Sequence, residues 1–206
     1  EIRQGFIDEA KRLELTKKIN EESIEAAKYA TVEDFFVLLD GIGATGVNAG
    51  TSYDMTVYYN SFPEASMYKW LTIFSDRLID PVFRTFQAEL ENVFEEYNMY
   101  EDNPSTHVRK TLMSTIFAGH PYERDVIGLP EHLKNPRLSN LIDFYNTWYV
   151  PNNMALIIVG DFDTEATKPM IEETFGRLEY KELPARPTYT KTSFTGNPKH
   201  KFKMGY

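Results

Sequence analysis

The sequence contains no cysteine and only four histidines among its 206 residues. The lack of cysteine excludes disulfides, thiol nucleophiles, iron–sulfur clusters and cysteine-ligated zinc, which leaves histidine and carboxylate side chains as the only candidate metal ligands. The histidines are His107, His120, His132 and His200. No pair of them has the H-E-x-x-H or H-x-x-E-H spacing of a helical zinc motif. Any metal site predicted from this sequence alone is therefore incomplete.

Positive charge and long apolar runs are also scarce. The sequence contains 22 Lys and Arg residues and 31 Asp and Glu residues. The resulting net charge of −9 gives no electrostatic attraction toward phosphate backbones or anionic lipid. No apolar run approaches the roughly 18 residues of a membrane span. We therefore expect no nucleic-acid partner and no membrane span in this sequence. The hydrophobic fraction of 42% is sufficient for a buried core, and the start at Glu1 instead of methionine predicts a piece of a longer protein.

The apolar spacing predicts a helix-rich chain with one strand-rich interruption. Residues 1–30 are dense in Glu, Lys and Ala and predict two helices, the second of which begins near Asn20. Residues 46–62 are rich in Val, Thr and Tyr and predict a β-hairpin that turns at Tyr53 and Asp54. The other predicted elements are helices over 32–39, 64–79, 85–100, 105–117, 130–134, 138–149 and 164–175, and a strand over Ala155–Val159.

A glycine pattern lies between the first part of the chain and the hairpin. Gly41 through Gly46 match G-x-G-x-x-G, the motif of dinucleotide-binding folds. That motif needs a helix after its third glycine, because the helix N-terminal amides hold the pyrophosphate. Here the following residues, 47–53, are strand and turn formers. The pattern favours a helix end that turns into a strand, with nucleotide binding as the alternative.

An acidic helix offers the strongest candidate site. At about 100° per residue, its apolar residues form one stripe, which consists of Phe86, Leu90, Val93, Phe94 and Tyr97. Glu91 and Glu95 fall on the opposite side, whereas Glu89 and Glu96 lie together at one border of the stripe. Two carboxylates at such a border can point into a shared cleft and serve a metal or a water molecule, although charged residues beside an apolar stripe are also ordinary.

A series of short segments then fits a known family in order and spacing. The segments are 43–52, 56–58, 89–96, 120–122, 127–128, 144–145, 149–154, 159–161 and 175–176. Together they resemble the first catalytic domain of the pitrilysin/insulinase family of zinc metallopeptidases, the inverzincins, over roughly residues 31–180. The resemblance implies an α+β fold of the α/β roll type, an antiparallel-rich sheet packed against helices, truncated at its N-terminus. It also implies a charged helical insertion over 1–30, a partial peptidase-like domain over 31–183 and an exit segment over 184–206.

The resemblance assigns roles to particular residues. Glu96 matches the family's third zinc ligand, and Glu89 matches a second functional glutamate that assists around the active site. Asn48 and Ala49 match an edge strand that lies alongside the bound peptide. The H-x-x-E-H segment, which supplies two zinc-binding histidines and the general base, is absent from this sequence. The implied cofactor is zinc, and the implied partners are a peptide substrate and a C-terminal half of the same protein or a partner subunit.

The function implied is that of a zinc-dependent endopeptidase acting on peptides or small unfolded proteins, in which a metal-activated water attacks the scissile carbonyl. This sequence alone is expected to be inactive, because it contains only one of the zinc ligands. A non-catalytic partner or scaffold member of the same family is the alternative within that fold. The sequence leaves the compartment open, and a bacterial periplasmic or cell-envelope location is compatible with it.

Overall fold

The structure, a computed structural model, describes residues 9–29, 34–83, 85–134 and 137–189, together with Lys199 and Lys201. Its eight described α-helices are α1 Glu9–Ala27, α2 Asp34–Gly41, α3 Met67–Ile79, α4 Phe86–Glu101, α5 Pro104–Ile116, α6 Pro130–Lys134, α7 Leu138–Trp148 and α8 Thr164–Thr174. A two-stranded antiparallel sheet consists of β1 Thr45–Thr51 and β2 Thr56–Ser61. The predicted α+β class is confirmed, with helices dominant. No helix in the described ranges has the length and apolar content that a membrane span requires.

The chain divides into two compact units. The first comprises residues 1–45, 62–89 and 161–177, and the second comprises residues 46–61, 90–160 and 178–206. Helix α4 therefore contributes residues to both units, with Glu89 in the first and Glu96 in the second. The division into an insertion, a peptidase-like domain and an exit segment stays a prediction.

An apolar core holds the first unit together. Leu71 of α3 and Leu39 of α2 are fully buried. Apolar residues recur along α3 at three- and four-residue intervals and form the stripe that contains Leu71. Trp70 stacks on Phe62 at 4.6 Å between ring centroids, and it contacts Phe74 at 4.5 Å. Helix α8 packs against α3. This unit thus gains its stability chiefly from buried apolar surface.

The second unit contains the hairpin, most of α4 and helices α5 to α7. Among its described residues, Val150 and Thr106 are buried, and most of the other apolar side chains are half-buried or exposed. Helix α5 begins with a side-chain cap, in which Asn103 Oδ1 accepts a hydrogen bond of 3.0 Å from Ser105 N, and Pro104 occupies the first turn. The C-terminal end of α5 leads into a short 3₁₀ turn, Pro121–Glu123. Buried apolar side chains therefore contribute less to this unit than to the first.

Two sequence predictions about secondary structure are wrong. Helix α1 is one continuous helix through Asn20, and the ion pair between Lys17 Nζ and Glu21 Oε1 at 3.9 Å spans the predicted break. The segment Ala155–Val159 has no strand assignment. Its β-forming residues satisfy the local pattern, but a strand also needs a partner strand, and the described residues supply none to this segment. Ile157 and Val159 are 78% and 91% exposed.

Candidate active site

Helix α4 presents the two candidate glutamates. The residues of its predicted apolar stripe are half-buried, as the helical projection requires: Phe86, Leu90, Val93, Phe94 and Tyr97. All four glutamates at the centre of the helix are exposed, namely Glu89, Glu91, Glu95 and Glu96. The periodicity thus predicted the buried face correctly. Exposure does not distinguish the border pair, Glu89 and Glu96, from the pair on the opposite side.

A hydrogen bond orients Glu96. The hydroxyl of Tyr100, one turn further along α4, donates to Glu96 Oε1 at 3.0 Å. This bond to a carboxylate raises the pKa of Tyr100 above its ordinary value, because the phenol is stabilised in its protonated form. The bond uses one acceptor position of the carboxylate, which has further lone pairs on both oxygens for another partner. Sequence reasoning missed Tyr100, although its spacing of four residues from Glu96 was a readable signal.

A charged network ties the C-terminal end of α4 to α5. Lys110 of α5 binds the Glu101 carboxylate, lies 5.1 Å from the centroid of the Tyr97 ring, and approaches Asp125 Oδ2 at 3.6 Å. Arg109 Nη2 contacts Asp125 Oδ1 at 2.7 Å, and the Asp125 side chain is only 5% exposed. The hydrogen bond from Lys110 lowers the pKa of Glu101. The network holds the part of α4 that follows Glu96 against α5.

The candidate peptide strand β1 is exposed along most of its length. Asn48 and Ala49 are both exposed, and Val47 is the half-buried residue of the strand. Ser52 N donates to Met55 O at 2.8 Å, and the alternation of a regular antiparallel hairpin then places the Ala49 N–H on the edge away from β2. Asn48 Oδ1 accepts a hydrogen bond of 2.8 Å from that Ala49 N–H. A peptide that pairs with Ala49 N therefore has to displace the Asn48 side chain.

The hairpin is held by contacts at its turn and by a contact on β2. The Tyr53 ring stacks on Tyr122 with 4.5 Å between centroids, and the Tyr122 hydroxyl donates to the Asp54 carboxylate. The hydroxyls of Tyr58 on β2 and Tyr149 are 2.9 Å apart. These contacts could not be predicted from local sequence patterns, because 68 residues separate Asp54 from Tyr122 and 91 separate Tyr58 from Tyr149.

His120 has a structural role in its loop. Its Nδ1 accepts a hydrogen bond of 3.2 Å from Tyr122 N and caps the 3₁₀ turn. Its ring lies edge-on to Tyr122 and Tyr189, with 4.6 Å between centroids in each case. These contacts indicate a residue that shapes the loop.

The glycine pattern forms a helix end and a strand. Gly41 is the last residue of α2, Gly43 adopts a positive φ of 77°, and Gly46 lies within β1. A Cβ atom at Gly43 would lie 3.2 Å from Pro63 Cγ, so a side chain is disfavoured there by both φ and space. No helix N-terminus follows Gly46, and the dinucleotide mechanism has nothing to hold the pyrophosphate. The favoured interpretation from sequence is confirmed.

The described residues do not complete a zinc site. No cluster of three or more His, Cys, Asp or Glu side chains that could hold a metal ion occurs among them. Protein zinc sites use at least three protein ligands, and Glu96 offers one carboxylate oxygen. Zinc binding would therefore need ligands from outside the described part of the chain.

Comparison with known proteins places the chain in a family. The family model "Insulinase (Peptidase family M16)" matches residues 23–129, more than half of the chain, and "Peptidase M16 inactive domain" matches residues 137–205. This chain belongs to the M16 peptidase family. It is 32% identical over 139 residues to the uncharacterized zinc protease YmfH of Bacillus subtilis and 31% identical over 140 residues to the probable zinc protease PqqL of Escherichia coli. The predicted resemblance to the insulinase family is thus confirmed.

Solved structures of M16 proteins share the fold. A protease from Helicobacter pylori superposes with a TM-score of 0.69 at 25% identity, over 77% of this chain and 39% of that chain. The first half of the periplasmic protease PqqL from Escherichia coli gives a TM-score of 0.65 at 24% identity, over 75% of this chain and 35% of that chain. Among the curated relatives, the match spans 66% of this chain but 32% of YmfH, and 64% of this chain but 15% of PqqL. The matched part of the chain thus covers a third or less of the length of these two curated relatives.

Proposed function

We propose that this M16 chain is part of a zinc-dependent endopeptidase that hydrolyses peptides or small unfolded proteins. The observation that carries the proposal is Glu96, exposed on α4 and oriented through Oε1 by the Tyr100 hydroxyl. The relatives are named zinc proteases. In the proposed site, Glu96 supplies one ligand, and the remaining ligands come from a longer protein that contains this chain. A zinc ion so held supplies a Lewis acid and an acidified water.

Glu89 has a supporting role in this proposal. It precedes Glu96 by seven residues on the same helix and is exposed. A carboxylate two turns from a metal ligand can orient groups around the site without ligating the metal. Substitution of Glu89 by Gln is accordingly expected to lower turnover and to preserve metal content.

Strand β1 is the proposed peptide-binding element. An extended peptide that adds to a sheet edge gains affinity from main-chain hydrogen bonds, with little dependence on side-chain identity. The outward N–H of Ala49 and the exposed side chains along β1 fit this mode, and the Asn48 amide covers the N–H until a peptide takes its place. The second half of the peptide cleft is proposed to come from the C-terminal half of the same protein or from a partner subunit.

The test uses the longer protein with a short labelled peptide that it cleaves. Hydrolysis should stop on chelation and return with added zinc, and N-methylation of the peptide amides one by one should weaken binding at the positions that pair with β1. Unchanged binding after methylation at every position would refute pairing with β1. Hydrolysis that persists after the metal has been removed would refute the zinc mechanism.

A non-catalytic scaffold or partner half is the second candidate function. The match of residues 137–205 to the family's inactive-domain model favours it. The two candidates differ in zinc content, because a scaffold member needs no stoichiometric zinc and cleaves no peptide. Metal analysis of the longer protein after dialysis separates them.

A further inference from the structure

We propose that Tyr122 and Asp54 form a positioning pair that holds the peptide-binding strand β1, so that peptide affinity depends on a hydrogen bond outside the strand. This inference rests on the proposed role of β1. Neither residue belongs to the zinc ligands or to the strand itself. Their effect on the reaction is exerted through the hairpin turn.

The hairpin turn is where the pair acts. The connection between the strands closes with the 2.8 Å hydrogen bond from Ser52 N to Met55 O, and Tyr53 and Asp54 lie between these residues. Both central residues contact Tyr122, one through its ring and the other through its carboxylate. A stacked ring fixes the position of the turn, and a directional hydrogen bond to a charged acceptor fixes its rotation.

Tyr122 is itself anchored. Its backbone N–H donates to His120 Nδ1 at 3.2 Å, and its ring contacts Phe117 with 5.3 Å between centroids. The Glu123 carboxylate accepts a hydrogen bond of 2.8 Å from Gly119 N in the same loop. The loop therefore offers a fixed support at the C-terminal end of α5, and the turn of the hairpin docks on it.

The strand needs such support because it has few other contacts. A two-stranded hairpin alone is marginally stable in water. Six of the seven residues of β1 are exposed, so the packing of its side chains contributes little. The hydroxyl contact between Tyr58 and Tyr149 holds β2, and β1 is connected to β2 by the hydrogen bonds of the sheet and by the turn. Rotation of the turn would tilt the edge on which Ala49 N–H is presented.

The chain supplies a matched control for the test. Tyr122→Phe keeps the stacked ring and removes the donor. Tyr53→Phe makes the same chemical change on the neighbouring ring, whose hydroxyl is buried and has no hydrogen-bond partner among the described residues. Asp54→Asn keeps an acceptor oxygen and serves as the conservative variant, whereas Asp54→Ala removes it.

The experiment measures the Kd and the cleavage kinetics of a short labelled peptide in the longer protein. Tyr122→Phe and Asp54→Ala should each weaken binding about threefold to tenfold, raise KM and leave kcat and zinc content unchanged. Asp54→Asn should restore most of the affinity, and Tyr53→Phe should bind like the unsubstituted protein. Amide hydrogen exchange over residues 46–51 should increase in the Tyr122→Phe protein even without peptide.

Peptides N-methylated at the pairing position show whether the pair acts through β1. If it does, the penalty of Tyr122→Phe disappears for the methylated peptide, because both changes remove the same interaction. If Tyr122→Phe weakens the binding of the methylated and the unmethylated peptide equally, the positioning role is refuted. The same holds if the Tyr122→Phe and Tyr53→Phe proteins bind the peptide with equal affinity. Neither result would refute peptide binding to β1. If methylation has no effect in any of the proteins, pairing with β1 is refuted, and the positioning role is refuted with it.

Discussion

The two compact units differ in what holds them together. In the first, fully buried Leu39 and Leu71 and the stacked Phe62 and Trp70 form an apolar core. In the second, the described residues include one fully buried apolar side chain, Val150, and the recurring contacts are polar or aromatic. Apolar burial tolerates small shifts, whereas hydrogen bonds and ion pairs depend on direction. The candidate residues Asn48, Ala49 and Glu96 all belong to the second unit, whose geometry is set by directional contacts.

The largest expected effect comes from the core of the first unit. Leu71→Ala should lower the free energy of unfolding by about 2 to 5 kcal/mol, because it removes buried methyl groups and leaves a cavity. Leu112→Ala on α5 is the control, since Leu112 is 54% exposed. Denaturant unfolding with hydrogen exchange over 67–79 provides the measurement. If Leu71→Ala lowers the free energy of unfolding as little as Leu112→Ala does, the stabilising role of the apolar core is contradicted.

The second-largest effect should come from the charged network of the second unit. Asp125→Asn removes a carboxylate that is 5% exposed between Arg109 and Lys110. We expect the free energy of unfolding to fall by about 1 to 3 kcal/mol. This is less than the cost of breaking a fully buried ion pair, because Arg109 is 52% exposed and can be solvated by water instead. Glu165→Gln, which breaks the exposed pair with Lys168, should cost less than about 0.5 kcal/mol. Equal losses would show that the network does not hold α4.

Acid should weaken the second unit through Glu101. The pKa of Glu101 is lowered in the folded chain by the hydrogen bond from Lys110, so the folded state binds the proton less readily than the unfolded state. The stabilisation is therefore present above the ordinary value of 4.5 and is lost as the pH falls below it through the folded pKa. Hydrogen exchange over 90–116 as a function of pH measures it. Lys110→Met should reduce this acid dependence, and an unchanged profile would contradict the assignment.

The smallest effect is expected for the unpartnered hydroxyl. Tyr53→Phe keeps the stack on Tyr122 and removes a buried hydroxyl for which the described part of the chain supplies no hydrogen-bond partner. The free energy of unfolding should change by less than about 0.5 kcal/mol, because no hydrogen bond is lost. Thermal unfolding provides the measurement. A destabilisation above about 1 kcal/mol would show that the hydroxyl has a partner in solution.

The sequence predicted what depends on neighbouring residues along the chain. The half-buried stripe of α4, the hairpin turn at Tyr53 and Asp54, and the end of α2 at Gly41 all follow from local periodicity or turn chemistry. The incorrect prediction of a strand over Ala155–Val159 shows the limit of such local patterns, since strand pairing depends on residues far away in the sequence. The contacts of Lys110 with Asp125 and of Tyr122 with Asp54 could not be predicted, because their spacing follows no helical or strand period.

The role of Glu96 is tested most directly by the zinc content of the longer protein. Glu96→Gln and Glu95→Gln make the same chemical change at adjacent exposed positions of α4, and only Glu96 is proposed as a zinc ligand. After dialysis, the Glu96→Gln protein should have lost most of its zinc, whereas the Glu95→Gln protein should keep about one equivalent. Equal zinc content in the two proteins would contradict Glu96 as the ligand.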